Sequence, residues 1–318
     1  MYRTLLVPLD GSPFGEAALP LAAALAQATG AGLSLCLVHD PSAYIRFSPG
    51  DVAIPPHDSG FMQQVVAEQR AYLDDVVARC VAAGVPATAA WLEGTVVEAI
   101  HERAQVLGAD LIVLSTHGRG GLARVWIGSV ATSLIGRATL PILLVRPAEG
   151  AAPAAGAPID ATAARAAFGA PVLVTLDGSP FAEQVLEHAR TLAAAMGSPL
   201  ELFLAVEPGS VRLAPFGAEA LLADESALLQ EERDAAEYLE RVARRFDIPT
   251  ATRSVTTDMS PARAIIERVA ASPHAAVALA THGRSGLSRL LLGSVADKLL
   301  RTIDRPLLVY RPSGPSTQ

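Results

Sequence analysis

Cysteine is scarce in this chain. The 318 residues carry two, Cys36 in an apolar strand-like run and Cys80 in a helical pattern, so neither a disulfide framework nor a cysteine metal site can be built. Both read as buried thiols. A surplus of positive charge is also missing: the formal net charge is −7, without the basic stripe that nucleic acid or an anionic membrane would favour. No apolar run reaches the ~20 residues of a membrane span. Met1-Tyr2-Arg3 passes at once into the run Thr4 to Leu9, without the charged, apolar and cleavage regions of a signal peptide. These absences predict a cytoplasmic protein with no nucleic-acid and no membrane partner. Catalytic signatures are equally thin. There is no G-x4-G-K-[ST] loop and no G-x-G-x-x-G after a first strand. The histidines form no i, i+4 pair, and no spacing argues for a Ser-His-Asp set. No catalytic residue and no metal ligand is assigned.

What is present is apolar surface: 51% of residues are hydrophobic and 18% are charged, enough for buried cores on both faces of parallel sheets. The length allows two ordinary domains or one large one, and internal repetition decides between them. Leu9-Asp10-Gly11-Ser12-Pro13-Phe14 recurs as Leu176-Asp177-Gly178-Ser179-Pro180-Phe181, and Thr116-His117-Gly118-Arg119 recurs as Thr281-His282-Gly283-Arg284. Gly128-Ser129-Val130-Ala131 returns as Gly293-Ser294-Val295-Ala296. The offset is 167 from Asp10 to Asp177 and 165 from Gly118 to Gly283, so the chain is one domain written twice. Domain 1 is expected over 1–147, a linker rich in Ala, Gly and Pro over 148–169 with one helical turn near 161–167, and domain 2 over 170–312.

Within each half, short apolar runs alternate with longer amphipathic segments, the pattern of βαβ units. Strands are predicted near 3–9, 33–39, 86–92, 110–115 and 141–146, with helices near 14–29, 62–83, 95–107 and 129–138. The matching strands of the second copy fall near 171–176, 200–206, 250–256, 275–281 and 306–311. Leu111-Ile112-Val113-Leu114 is continuously apolar, as in a strand covered on both faces. The fold class is therefore α/β, with two open five-stranded parallel sheets carrying helices on both faces. The Pro-rich stretch Asp40 to Gly60 reads as a lid or as a loose insertion. The charged residues of 231–245 read as a solvated helix face opposite Leu228, Leu229, Leu239 and Val242.

Ligands of such sheets bind beyond the carboxyl ends of the strands, where the winding reverses, and the repeated motifs fall at two such ends. Asp10-Gly11-Ser12 also reads as a tight turn with a helix cap, and both readings stay open. The loop Ser115 to Ser129 says more. Its glycines permit close backbone approach, and Gly128-Ser129 opens a helix whose free N–H groups and dipole favour an anion. Ser129 adds a hydroxyl, and Arg119 or Arg124 a charge. Gly283, Gly286, Gly293, Ser294, Arg284 and Arg289 repeat the set.

Together the Asp-Gly-Ser strand end, the His-Gly-Arg loop and the Gly-Ser helix start resemble the universal stress protein family, in its tandem form. Its ATP-binding members carry G-x2-G-x9-G-[ST] after the fourth strand. Gly118 with Gly128-Ser129, and Gly283 with Gly293-Ser294, match this pattern, while Ser115 and Ala280 stand at the first glycine. The resemblance implies a flavodoxin-like fold of the adenine nucleotide alpha hydrolase type, arranged as a tandem pseudo-dimer. It implies an adenine nucleotide in each half: ATP, with ADP or AMP as alternatives and Mg as an admissible companion. It places Asp10 and Asp177 beside the nucleoside and the main chain near Val38 and Ala205 at the adenine, and includes Pro8 and Thr175 among the nucleotide-binding residues. Gly118, Gly128 and Ser129, and correspondingly Gly283, Gly293 and Ser294, would lie against the phosphates, with Ser115, His117, Arg119, Val130, Ala280, His282, Arg284 and Val295 also in the nucleotide-binding set. Met259, aligned with Gly94, is expected to crowd the second pocket's rim. The implied function is regulatory nucleotide binding in the stress response without strong catalysis. The alternatives are a slow ATP hydrolase or nucleotidyl-transfer enzyme and a nucleotide-free scaffold. In single-domain relatives the last strand pairs two subunits, so the resemblance also implies pairing of the two halves through 141–146 and 306–311, and a homodimer beyond that.

Overall fold

The structure, a computed structural model, describes residues 2–41, 59–116, 128–147, 156–207, 218–281 and 292–312. It divides into two compact units, Met1–Ala166 and Ala167–Gln318. In unit 1 the elements are β1 Thr4–Leu9, α1 Leu19–Thr29, β2 Gly32–His39, α2 Ser59–Ala82, β3 Ala87–Glu93, α3 Val96–Leu107, β4 Leu111–Ser115, α4 Ser129–Arg137, β5 Ile142–Val145 and α5 Ala161–Ala166. Unit 2 runs β6 Val172–Leu176, α6 Pro180–Glu183, α7 Val185–Met196, β7 Leu200–Val206, α8 Ala218–Arg245, β8 Thr252–Thr257, α9 Pro261–Ala271, β9 Ala276–Ala280, α10 Ser294–Thr302 and β10 Leu307–Tyr310.

Each unit is an open, all-parallel sheet, ordered β3-β2-β1-β4-β5 in the first and β8-β7-β6-β9-β10 in the second. This is the 3-2-1-4-5 variant of the doubly wound sheet, in which the winding reverses between the first and fourth strands. The continuous apolar runs have the expected cause: Leu5, Leu6 and Val7 in β1 and Leu111, Ile112 and Val113 in β4 are fully buried. Each such side chain removed from water contributes about 1.5–3 kcal/mol. Helix α3 packs beside α4, and α1 beside α5. Among the described residues no helix is long and apolar enough to cross a membrane.

One element differs from the sequence-based expectation. The helix predicted over 14–29 is divided into a 3-10 turn at Gly15–Ala18 followed by α1. Its counterpart is divided likewise, as α6 and α7. The helical turn expected near 161–167 in the Ala-rich connection is present as α5, opened by Asp160, whose Oδ1 accepts the Ala163 N–H at 2.8 Å. It belongs to unit 1. The lid or insertion expected over Asp40 to Gly60 falls mostly outside the described residues.

The ladders show where the sheet opens. β1 pairs with β2 as far as Leu9 but with β4 only at Leu5 and Leu6. In unit 2, β6 pairs with β7 to Leu176 but with β9 only as far as Val174. Beyond those residues the first and fourth strands part, and Pro8, which has no N–H to donate, and Thr175 sit at the parting. Thr175 Oγ1 still reaches the Ala278 carbonyl of β9, at 3.3 Å.

Candidate functional site

In unit 2 the parting strands border a cleft of about 270 Å³ at the carboxyl end of the sheet. Thr175, Leu176 and Asp177 reach it from β6, Ala205 and Glu207 from β7, and Leu279, Ala280 and Thr281 from β9. The start of α10, from Gly293 to Ala296, closes one side, and Pro261 and Ile265 of α9 form another wall. Segments more than a hundred residues apart in sequence thus meet at the switch point. Of the residues singled out from sequence, Thr175, Asp177, Ala205, Ala280, Gly293, Ser294 and Val295 line this cleft together. In unit 1, Pro8 and Asp10 lie at the end of β1, Val38 near the end of β2, Ser115 at the end of β4, and Gly128, Ser129 and Val130 at the start of α4. His117, Gly118, Arg119, His282, Gly283 and Arg284 lie outside the described residues, as do Arg124, Gly286 and Arg289.

The Asp-Gly-Ser turn is built the same way twice. Gly11 and Gly178 take φ of 78° and 85°, a left-handed conformation that a side chain would strain. The turn folds Ser12 back so that its N–H and hydroxyl both donate to Asp10 Oδ1, at 3.0 and 2.7 Å. Ser179 does the same to Asp177 Oδ1, at 2.9 and 2.7 Å. Each serine Oγ then accepts a helix-start N–H, from Gly15 at 3.1 Å and from Ala182 at 3.2 Å. Capping and aspartate positioning are therefore one arrangement: the serine that caps the turn also orients the carboxylate.

The Gly-Ser helix starts have a different logic. Gly128 and Gly293 have φ of −55° and −60°, which any residue adopts, so left-handed geometry does not call for glycine. Proximity does. The Gly128 N–H donates to the Thr116 carbonyl at 2.9 Å and the Gly293 N–H to that of Thr281 at 3.0 Å. A methyl group on Gly128 would lie 3.3 Å from that oxygen, and on Gly293 only 2.9 Å. Neither glycine supplies a side-chain cap, so the first-turn N–H groups of α4 and α10 keep their capacity for an anion. Among the described lining residues of the unit 2 cleft the charged side chains are Asp177 and Glu207. The cleft thus has carboxylates at the strand ends and a positive helix dipole across from them.

Three details correct the sequence reading. Met259 does not crowd the rim: it is 74% exposed and is not a lining residue. Pro261 and Ile265 hold the wall instead, and Asp258 fixes their helix by accepting the Ser260 N–H at 2.7 Å and three bonds from the Nε and Nη2 of Arg263. The Arg263 guanidinium, then the Ser260 N–H, hold the Asp258 carboxyl below its usual range. The segment 231–245 is not simply a solvated face, because Glu232 accepts from Thr257, Glu240 pairs with Arg253 and Arg245 pairs with Glu183. Leu229 is exposed while Leu239 and Val242 are buried.

Sequence reasoning passed over one further set. Glu16 and Glu183, six residues beyond Asp10 and Asp177, are buried at 6% and 8% exposure. Arg79 of α2 pairs with Glu16 at 2.9 Å, and Tyr238 of α8 donates to Glu183 at 3.0 Å. The signal was available in the repeat, since Tyr72 and Arg79 recur as Tyr238 and Arg245 at one offset of 166. It is inconspicuous because the tyrosine and arginine repeat as isolated positions within a helix and not as a contiguous motif.

The family model described as the universal stress protein family matches residues 1–146 and 170–311. The chain belongs to the universal stress protein family. A universal stress protein of Mycobacterium tuberculosis is 34% identical over 207 residues, covering 64% of this chain and 63% of that relative's length. A shorter universal stress protein of Thermus aquaticus is 32% identical over 148 residues, all of its length and 46% of this chain. The solved universal stress protein of Archaeoglobus fulgidus shares the fold at a TM-score of 0.68 and 17% identity, over 98% of both chains. Each of the two matched segments of this universal stress protein holds one copy of the repeated motifs.

Proposed function

We propose that this universal stress protein binds an adenine nucleotide, ATP first, at the switch point of each unit, and acts as a regulator whose state depends on occupancy. The observation that carries the reading is the convergence, in unit 2, of Asp177, the β7 main chain at Ala205 and the uncapped start of α10 on one cleft. The residues suit a nucleotide: carboxylates at the strand ends accept ribose hydroxyl donors, and the α10 N–H groups with the Ser294 hydroxyl suit phosphate oxygens. Ala205 presents main chain and a small side chain where a flat base would lie. Bound nucleotide would supply the phosphate charge that the helix start attracts, and a magnesium ion would enter with it. Asp177 Oδ1 already accepts two hydrogen bonds from Ser179, which suits a fixed acceptor better than a base that moves a proton.

The test is to denature the purified protein, analyse the supernatant for nucleotide, and titrate ATP, ADP, AMP and cyclic AMP into stripped protein by calorimetry. Wild type should bind one nucleotide per unit, and Asp10→Ala and Asp177→Ala should each remove one equivalent. Absence of binding to any of the four would refute the reading and leave a scaffold. Steady phosphate or pyrophosphate release, abolished in the double substitution, would replace it with the enzymatic alternative.

A further inference from the structure

We infer that Glu16 and Glu183 are positioning residues of the two sites, through which the long helices α2 and α8 hold the turn that carries the site aspartate. This inference rests on the nucleotide-binding reading above. A buried carboxylate is costly unless it is paired, and both glutamates are buried within the first turn after Asp-Gly-Ser. Each is met from the same long helix at equivalent positions. In unit 1 Arg79, itself 14% exposed, pairs with Glu16 at 2.9 Å and also holds Asp75 and the Ala157 carbonyl. The hydroxyl of half-buried Tyr72 is shielded beside Glu16 without a hydrogen bond of good geometry. In unit 2 the emphasis is exchanged, with Tyr238 donating to Glu183 at 3.0 Å and Arg245 pairing with it from the surface.

The clamp joins the site through a short chain of bonded groups. Asp10 Oδ1 takes the Ser12 hydroxyl, Ser12 Oγ takes the Gly15 N–H, and the next residue is Glu16; Asp177, Ser179, Ala182 and Glu183 repeat the order. The Glu16 and Glu183 N–H groups also return to the Ser12 and Ser179 carbonyls, both at 3.3 Å. Burial raises the Tyr72 and Tyr238 phenols above their usual range, the neighbouring glutamate adds to this, and the site aspartate adds further. Clamp and site therefore share one electrostatic neighbourhood. Among the described residues the other ion pairs do not repeat in this way: Arg268 grips Glu201 in unit 2, where Ser34 and Arg103 occupy the equivalent places in unit 1. By reciprocity of linked equilibria, a clamp that orients the aspartate for the nucleotide must itself be tightened by the nucleotide.

The experiment measures ATP affinity by calorimetry at unit 2 alone, in an Asp10→Ala background, for Tyr238→Phe, Glu183→Gln and Arg245→Lys. Arg190→Ala, which removes an exposed ion pair of α7, serves as control. Loss of one positioning hydrogen bond should raise Kd about 3- to 10-fold for Tyr238→Phe and Glu183→Gln, while Arg245→Lys and Arg190→Ala stay near wild type. A purely structural role would lower the melting temperature and leave the Kd of folded protein unchanged, which would overturn the inference. Hydrogen exchange on the wild-type chain covers variants that fail to fold: added ATP should slow exchange in α8 near 238–245, and no change there would also overturn it. If the wild type binds no ATP, the underlying reading has failed; if it binds and the clamp variants bind as well, only this inference has.

Discussion

Replacing Gly293 by alanine should destabilise unit 2 in the absence of any ligand, whereas the same change at Gly128 should be nearly neutral in unit 1. Both glycines have ordinary negative φ, so alanine is conformationally allowed and, by narrowing the unfolded ensemble, stabilises by about 0.4–1 kcal/mol. Steric contact opposes this. At Gly293 the new methyl would stand 2.9 Å from the Thr281 carbonyl oxygen, which is also the acceptor of the Gly293 N–H at 3.0 Å. The oxygen cannot retreat without loosening that bond, worth about 0.5–1.5 kcal/mol, and overpacking of this kind costs about 1–3 kcal/mol. The net expectation is a loss of about 1–3 kcal/mol. At Gly128 the corresponding distance is 3.3 Å, so a small shift suffices and the two effects cancel to within about 1 kcal/mol. Urea unfolding of nucleotide-stripped protein, followed by far-UV circular dichroism and fitted as two transitions where they separate, reads both. If Gly293→Ala leaves the stripped protein as stable as wild type, or Gly128→Ala costs more than Gly293→Ala, the close-approach argument is wrong. The glycines would then be explained by ligand access alone.

The buried group at Glu201 gives a second outcome. Burial would raise its pKa, but bonds from Arg268, Ser254 and His274 overcome this and hold it below the usual carboxylate value; as a depressed acid, it stabilises above its unfolded pKa, and that contribution is lost as pH falls below about 4.5. Glu201→Ala, which strands Arg268 and the fully buried His274 side chain, should cost about 3 kcal/mol at neutral pH in urea unfolding, and a cost below about 1 kcal/mol would refute the network. Burial pushes the Cys36 thiol up to about 12, with Arg103 opposing, and the Cys80 thiol up to about 11. At pH 8 neither should react with Ellman's reagent in the folded protein, and two equivalents should react in urea; prompt reaction of the native chain would show a core less closed than described.

The strands and most helix bounds were legible because a strand covered on both faces must be continuously apolar, and β1, β4 and β9 obey that rule. Identical hexapeptides at two strand ends made the duplication visible. The cleft was legible in part. Asp177 and Gly293 announce themselves by motif, but Pro261 and Ile265 resemble any helix-start proline and core isoleucine, and nothing local distinguishes them. Alignment with Gly94 gives the position of Met259 along the chain and not its direction, which the bonds of Asp258 set.

From the order of residues alone came the doubled α/β architecture, the switch-point location and the family, since periodicity, repetition and contiguous motifs are local or self-referential properties. Tertiary structure alone decided the rest. It showed that the β1–β4 and β6–β9 ladders stop short and open the crevice. It showed that Gly293 is glycine because of a carbonyl twelve residues back in the chain, and that Glu16 and Glu183 answer to helices more than fifty residues away. Distances between groups far apart in sequence are set by how the layers pack, and no local pattern carries them.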